Sequence, residues 1–140
     1  MITLERLFVL KSVDLFKKTD DEALVELASL ATECENSAGE TIIRKGDLGS
    51  CMYVIVSGKV TVHDGDRVLA ELGERTVFGE MAALSPEVRM ASVTALQDVF
   101  LLKIERDVIY EVMSLNSGLA QGIIEVLCQR ARALGMMATK

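Results

Sequence analysis

Histidine and cysteine are scarce in this chain of 140 residues, and their scarcity excludes several kinds of active site. The three cysteines, Cys34, Cys51 and Cys128, are odd in number and far apart, which predicts reduced thiols rather than a disulfide framework or a zinc site. The one histidine, His63, has no neighbour at metal-ligand spacing, and the sequence contains no nucleophile–base pair or carboxylate cluster. We therefore predict that the chain is not an enzyme and holds no metal and no cofactor.

Long apolar runs are missing too, and basic residues are outnumbered by acidic ones. No run approaches the roughly 18 residues of a membrane-spanning helix, so we predict no membrane segment, no signal peptide and a cytoplasmic location, as a separate domain or a piece of a larger protein. The net charge of -6 repels phosphate backbones, which argues against a nucleic acid partner within this chain. Because 50% of the residues are hydrophobic, residues 1–140 are expected to form one domain with its own core.

The residue pattern is helical at first and then strand-like. Helical spacing covers residues 1–34, where Thr19 and Glu22 have the spacing of a capping box. Short β-branched runs separated by glycine turns fill residues 39–104, and Asp64-Gly65 is the strongest hairpin signal among them. Many short strands with glycine turns indicate a small antiparallel sandwich or barrel.

Helical spacing returns over residues 106–134. A short helix is followed by a longer one, which Asn116 or Ser117 is expected to cap. Gly118 and Gly122 lie in the first turns of the longer helix, where glycine weakens a helix and makes a candidate hinge. The remaining residues, 135–140, are expected to fray.

The segment 78–93, FGEMAALSPEVRMASV, combines residue types that suit a phosphate and a sugar. Gly79 lets the backbone approach a ligand closely, and the Ala82-Ala83 pair keeps that approach open. Arg89 offers a planar fork of donors that fits two phosphate oxygens. Glu80 can accept the hydrogen bond that a ribose hydroxyl donates. The segment is therefore predicted to be a loop with a short helix between two strands, its amides arranged to bind an anion.

This segment resembles the phosphate-binding cassette of the cyclic nucleotide-binding domain family. The resemblance rests on the Phe-Gly-Glu start, the interval to Arg89 and the Ala91-Ser92-Val93 ending, and it extends to Gly46, Asp47 and other positions across nearly the whole chain. It implies an α+β fold, an eight-stranded antiparallel β-roll (a jelly-roll-like barrel) flanked by N- and C-terminal helices. It also implies a regulatory domain that binds cAMP or cGMP and relays the signal through its flanking helices. The implied ligand-binding residues are Gly79, Glu80, Met81, Ala82, Arg89, Met90, Ala91 and Ser92.

The resemblance further implies a ligand preference and partners. In relatives that favour cGMP a threonine directly follows the cassette arginine, whereas Met90 stands there in this chain, so cAMP is expected to bind at least as well as cGMP. Because the chain lacks tryptophan, the base is expected to rest on aliphatic side chains, for which the candidates are Val60, Val62, Met81 and Leu134. Besides the cyclic nucleotide, the expected partners are a second copy of the chain, in a homodimer, or a covalently linked effector domain outside this segment.

Alternative interpretations of the same residues stay open at this point. In the plainest of them, Arg89 is an ordinary surface arginine beside Glu87. In another, Glu80 forms a salt bridge with Arg89 or a turn hydrogen bond. At the level of function, one alternative is a degenerate domain that no longer binds ligand and acts as a protein-interaction module, which the bulky Met90 favours. The other is a small barrel enzyme of the cupin type, against which the missing histidine cluster argues.

Overall fold

The computed structural model describes residues 1–138, with side chains as far as Gly135. Its five helices are α1 (Thr3–Lys11), α2 (Asp21–Leu30), α3 (Glu80–Leu84), α4 (Arg106–Leu115) and α5 (Ser117–Ala138), and a 3₁₀ turn covers Asp14–Phe16. Its strands are β1 (Thr32–Asn36), β2 (Thr41–Ile43), β3 (Leu48–Gly49), β4 (Cys51–Ser57), β5 (Val60–Asp64), β6 (Arg67–Leu72), β7 (Val77–Phe78), β8 (Glu87–Val88), β9 (Ser92–Ala95) and β10 (Val99–Glu105). Within these residues no helix, the 22-residue α5 included, is long and apolar enough to cross a membrane.

The strands form a roll of two antiparallel sheets. One sheet has the order β1-β10-β4-β7 and the other the order β2-β9-β5-β6, so eight strands build the roll. The two-residue strands β3 and β8 form a separate pair, which brings the total to ten. The predicted α+β class and antiparallel β-roll are confirmed, and the short pair is the addition to the eight expected strands.

The strands β4 and β10 at the centre of the first sheet separate two apolar clusters. Because successive side chains of a strand point to opposite faces, Ile55 and Leu101 face into the roll, whereas Met52 and Leu102 face the helices. The cluster inside the roll consists of Ile43, Ile55, Val60, Phe78, Val93, Ala95, Val99 and Leu101. The helices therefore pack on the outer face of the sheet that also carries β7, the strand leading into the cassette.

The first helical segment is shorter than the predicted range 1–34. Helix α2 ends at Leu30, Ala31 takes an extended conformation, and residues 32–36 form strand β1 paired with β10. This strand has mostly exposed polar side chains, so its sequence has the composition of a loop, and its pairing depends on residues far along the chain. The predicted capping box is also displaced: Asp20, not Thr19, caps α2 by accepting a hydrogen bond from the Ala23 amide at 2.9 Å.

The hairpin predicted from Asp64-Gly65 is confirmed, since Asp64 of β5 pairs with Arg67 of β6, and its two-residue turn is Gly65-Asp66, in which Gly65 has a φ of +59°. The prediction that Asn116 or Ser117 caps the last helix is confirmed for Asn116, whose side-chain oxygen accepts from the Gly118 amide at 2.9 Å. Helix α5 continues to Ala138, four residues beyond the predicted end at 134, and residues 139–140 lie outside the described part of the chain.

Gly118 and Gly122 have a packing role that the sequence did not indicate. A Cβ on Gly118 would lie 2.5 Å from a carboxylate oxygen of Asp20, and one on Gly122 would lie 2.7 Å from the carbonyl oxygen of Lys18. The first turns of α5 therefore press directly on the chain between the 3₁₀ turn and α2. These glycines allow the start of the helix to pack closely against its neighbour, and the hinge expected there stays a prediction.

Replacing Gly122 with alanine is expected to destabilise the fold, although alanine is the better helix former. The added Cβ would collide with the backbone of Lys18, and overpacking of this kind costs roughly 1–3 kcal/mol, against the roughly 1 kcal/mol that helix propensity returns. Thermal unfolding should show a melting temperature several degrees below that of the parent. Gly135→Ala in the same helix is the matched control, because no atom of the described residues lies within 4 Å of its added Cβ, and it should melt at or above the parent temperature.

Candidate functional site

The segment after β7 folds as a turn, a short helix and a second turn around one cavity. Gly79 precedes α3 with a left-handed backbone, φ +79°, and β8 follows the helix through Pro86. The cavity measures about 300 Å³. The strands of the roll supply an apolar wall, which consists of Ile43, Val62, Leu72, Val77, Phe78 and Val93. The cassette supplies the remaining wall, which consists of Gly79, Glu80, Met81, Ala82, Glu87, Arg89, Met90 and Ala91.

Arg89 is buried, with 9% of its surface exposed, and its guanidinium lies at this cavity. Its Nη1 donates to the carbonyl oxygen of Gly79 at 3.1 Å and its Nη2 to that of Cys51 at 2.7 Å. Within residues 1–138, no carboxylate oxygen forms a salt bridge with it. The surface-arginine interpretation and the direct salt bridge with Glu80 are therefore both wrong. A buried cation without a carboxylate partner is a strong attractor for an anion.

Two glycines enclose the guanidinium of Arg89. A Cβ on Gly79 would lie 2.7 Å from Nη1, and a Cβ on Gly49 would lie 2.5 Å from Nε and would also collide with Ala82. Only residues without a side chain leave room for the arginine between them. Sequence reasoning assigned Gly79 to the site but overlooked Gly49. The available signal was a second glycine three residues after the turn glycine Gly46, at a position that no turn requires.

Glu80 is half-buried at the start of α3. Burial raises the pKa of its carboxyl above the ordinary value of 4.5, and the charges of Arg130 and Arg89 act in the opposite direction. Arg130, on α5, forms a salt bridge with Asp14 at 3.5 Å and lines a neighbouring cavity together with Glu80. Among the described residues, the Glu80 carboxylate itself has no salt-bridge partner. Its acceptor oxygens are partly desolvated and free of direct bonds to a cation, as a site for a hydroxyl donor requires.

The remaining predicted site residues divide into two groups. Met81, Ala82, Met90 and Ala91 line the cavity, and Met90 is 78% exposed at its edge. Ser92 is not part of the lining, and its hydroxyl accepts from the Lys45 amide at 3.0 Å.

Of the candidates for the base-contacting wall, two are well placed and two are not. Val62 and Met81 line the cavity, whereas Val60 is fully buried in the roll and Leu134 is exposed on α5, away from the lining. One aromatic side chain contributes instead: Phe78 lines the cavity and stacks on Tyr53 with ring centroids 5.1 Å apart.

Two curated relatives of different kinds are similar in sequence to this chain. The chain is 39% identical over 106 residues to a cyclic nucleotide-gated potassium channel of Rhizobium etli, and this alignment covers 76% of this chain and 29% of the channel. It is also 25% identical over 129 residues to a CRP-like cAMP-activated global transcriptional regulator of Mycobacterium tuberculosis. This alignment covers 89% of this chain and 58% of the regulator. The chain thus spans less than two thirds of the length of either relative.

Solved structures share the fold at similar sequence identity. The N-terminal domain of a transcriptional regulator from Streptomyces coelicolor superposes with a TM-score of 0.85 at 29% identity, covering 93% of this chain and 94% of that one. The regulatory domain of Toxoplasma gondii PKA, crystallised with cAMP, superposes with a TM-score of 0.73 at 29% identity, covering 79% of this chain and 44% of that one. The family model described as "Cyclic nucleotide-binding domain" matches residues 34–116, more than half of the chain. The chain belongs to the cyclic nucleotide-binding domain family.

Proposed function

We propose that this domain binds a 3′,5′-cyclic nucleotide, with cAMP favoured over cGMP, and relays its presence through the flanking helices. The cyclic phosphate binds Arg89, the ribose 2′-hydroxyl donates to Glu80, and the base rests on the apolar wall of the roll. The relatives named above for cAMP or for cyclic nucleotides support this assignment by similarity. The receiving partner is a second copy of the chain or an effector domain outside this segment.

The observation that carries the proposal is the buried Arg89 guanidinium at the cavity wall. A guanidinium has five N–H donors, and the carbonyl groups of Gly79 and Cys51 occupy only part of them. Backbone carbonyls satisfy hydrogen bonds but do not neutralise a full positive charge. A cyclic phosphate supplies one negative charge and two exocyclic oxygens, which match the planar fork of the arginine.

The neighbours of α3 on α4 and α5 support the proposal that ligand binding is relayed to the flanking helices. The helix packs against α4, and Glu80 at its start faces Arg130 of α5, which is in turn bonded to Asp14 near the N-terminus. A ligand hydroxyl that binds Glu80 changes the charge environment of Arg130. The occupancy of the site is thereby linked to the contact between α5 and the N-terminal helices.

Substituting Arg89 is expected to remove most of the affinity for cyclic nucleotide. Charge-assisted hydrogen bonds contribute roughly 1.5–3 kcal/mol each, so loss of a bidentate pair in Arg89→Leu should weaken cAMP binding by at least about a hundredfold. Isothermal titration measures the dissociation constants, and Arg67→Leu, at an exposed arginine of β6, is the control for loss of charge. Unchanged affinity in a folded Arg89→Leu protein would mean that the phosphate binds elsewhere.

Glu80→Gln is expected to stabilise the ligand-free protein and to weaken ligand binding. The pKa of Glu80 is higher in the folded protein than the ordinary value of 4.5. Between these two pKa values the folded protein binds more protons than the unfolded chain, so the free energy of unfolding falls as the pH rises through this interval. The glutamine variant lacks this loss. Its melting temperature should therefore exceed that of the parent at pH 7, and the two should converge as the pH drops to about 4.

The binding arm of the same experiment compares cAMP with its 2′-deoxy analogue. Loss of the carboxylate charge should weaken cAMP binding roughly tenfold, because a hydroxyl bond to a charged acceptor becomes one to a neutral acceptor. The 2′-deoxy analogue, which has no hydroxyl to donate, should lose little. Equal losses for both ligands would assign Glu80 to support of the loop instead of the sugar.

The preference for cAMP follows from the chemistry of the cavity edge. Met90 offers only a weak thioether acceptor, and the wall formed by Val62, Leu72 and Phe78 is apolar, so the extra polar groups of guanine find few partners. We expect cAMP to bind more tightly than cGMP by a modest factor, below about tenfold. Competition of both nucleotides against a fluorescent analogue measures the ratio. A clear preference for cGMP would contradict this, and binding of neither would favour the protein-interaction module.

A further inference from the structure

Helix α3 is too short to satisfy its own backbone. The last four carbonyl groups of any α-helix lack partners within the helix, and α3 has only five residues. One of the four is satisfied locally, because the Ser85 amide donates to the Met81 carbonyl oxygen at 2.9 Å. The carbonyl groups of Ala82, Ala83 and Leu84 need partners from elsewhere.

All three of these carbonyl groups accept hydrogen bonds from side chains of α4. Arg106 donates from Nη2 to Ala82 and from Nε to Ala83, the latter at 3.3 Å. The Tyr110 hydroxyl donates to Leu84. Arg106 and Tyr110 are four residues apart and so lie on the same face of α4, one turn from each other. We call these two side chains the carbonyl clamp.

The carbonyl clamp also reaches the other wall of the phosphate site. Nη2 of Arg106 donates to the Gly49 carbonyl oxygen at 2.7 Å, and the backbone amide of Arg106 donates to the Ser50 carbonyl oxygen at 2.8 Å. Gly49 is the residue against which the guanidinium of Arg89 packs. One side chain therefore holds both the end of α3 and the turn beside Arg89, and sets the spacing between them.

We infer that Arg106 and Tyr110 are positioning residues for the ligand site: from α4 they fix α3 and Gly49 on either side of Arg89 and so determine the affinity for cyclic nucleotide. The inference rests on the proposed function. Neither side chain is among the residues that line the cavity, so any effect on affinity would act through α3 and Gly49. Tyr110 is 47% exposed, and its hydroxyl can be removed with little disturbance of the core.

The test uses two variants that keep the size of the side chain and lose its hydrogen-bonding geometry. Tyr110→Phe removes one hydroxyl, and Arg106→Lys keeps the charge but cannot reach several carbonyl groups at once. Tyr110→Phe should weaken cAMP binding roughly threefold to tenfold, and Arg106→Lys more. The matched controls are Ser114→Ala, at a hydroxyl of α4 that donates to the Glu111 carbonyl oxygen of its own helix, and Arg132→Lys on the exposed surface of α5. Both should bind like the parent.

A spectroscopic signal separates positioning from general stability. The chain has two tyrosines, so ¹³C labelling of the ring ζ-carbon gives two resonances, and the one absent from Tyr110→Phe belongs to Tyr110. We expect this resonance to shift during titration with cAMP, with the same midpoint as binding measured by calorimetry. A hydroxyl that served only the stability of α4 would give a resonance that does not respond to ligand.

Hydrogen exchange of backbone amides in the ligand-free protein tests, independently of ligand binding, whether the carbonyl clamp stabilises α3. The Ser85 amide, which closes the end of α3, should exchange several-fold faster in Tyr110→Phe and at the parent rate in Ser114→Ala. If the parent binds cAMP and both clamp variants bind it equally well, the inference is overturned. If the parent binds neither cAMP nor cGMP, the proposed function is wrong and the effect of the clamp on affinity falls with it. Faster exchange would then still support the structural half of the inference, that the clamp holds α3, and unchanged exchange would refute that half as well.

Discussion

The burial of the Arg89 guanidinium, which has no carboxylate partner among the residues that the structure describes, is the constraint on which the rest of the site depends. Desolvating a full charge is costly, and the two carbonyl groups that Arg89 contacts compensate for it only in part. The fold accommodates the group by bringing backbone close on both sides, which is possible because Gly49 and Gly79 have no Cβ. The result is an enclosed positive charge inside a protein whose net charge is -6, and the proposed binding of an anion depends on this local geometry and not on the overall field.

The same constraint explains why the cassette cannot be treated as an independent element. A helix of five residues has little intrinsic stability, since nucleation is costly and few hydrogen bonds follow it. Its N-terminal end depends on the left-handed backbone of Gly79, and its C-terminal end depends on side chains of α4. The geometry of the ligand site and the arrangement of the C-terminal helices are consequently two aspects of one packing problem.

Features encoded by neighbouring residues could be predicted from the sequence, and features that depend on distant contacts could not. The hairpin at Asp64-Gly65 and the place of Arg89 in its segment follow from local residue chemistry, and both appear in the structure. Strand 32–36 was missed because its polar residues gain their strand character only by pairing with β10, more than sixty residues away. The role of Gly122 was misjudged for the same reason, since helix propensity describes the glycine but not the Lys18 backbone that approaches it. Arg106 carried no local signal, because its acceptors lie 23 to 57 residues earlier in the chain.

The close contact at Gly118 and Gly122 gives α5 the geometry of a lever. Its first turns are held against the chain at Lys18 and Asp20, whereas its residues from 131 to 135 are exposed. From Gly122 to Ala138 the helix extends about 24 Å at 1.5 Å per residue, so a rotation of about 10° around the glycine contact would carry the far end through about 4 Å. A close contact near one end of a long helix therefore turns a small rotation there into a displacement at the other end that is comparable with the width of a side chain.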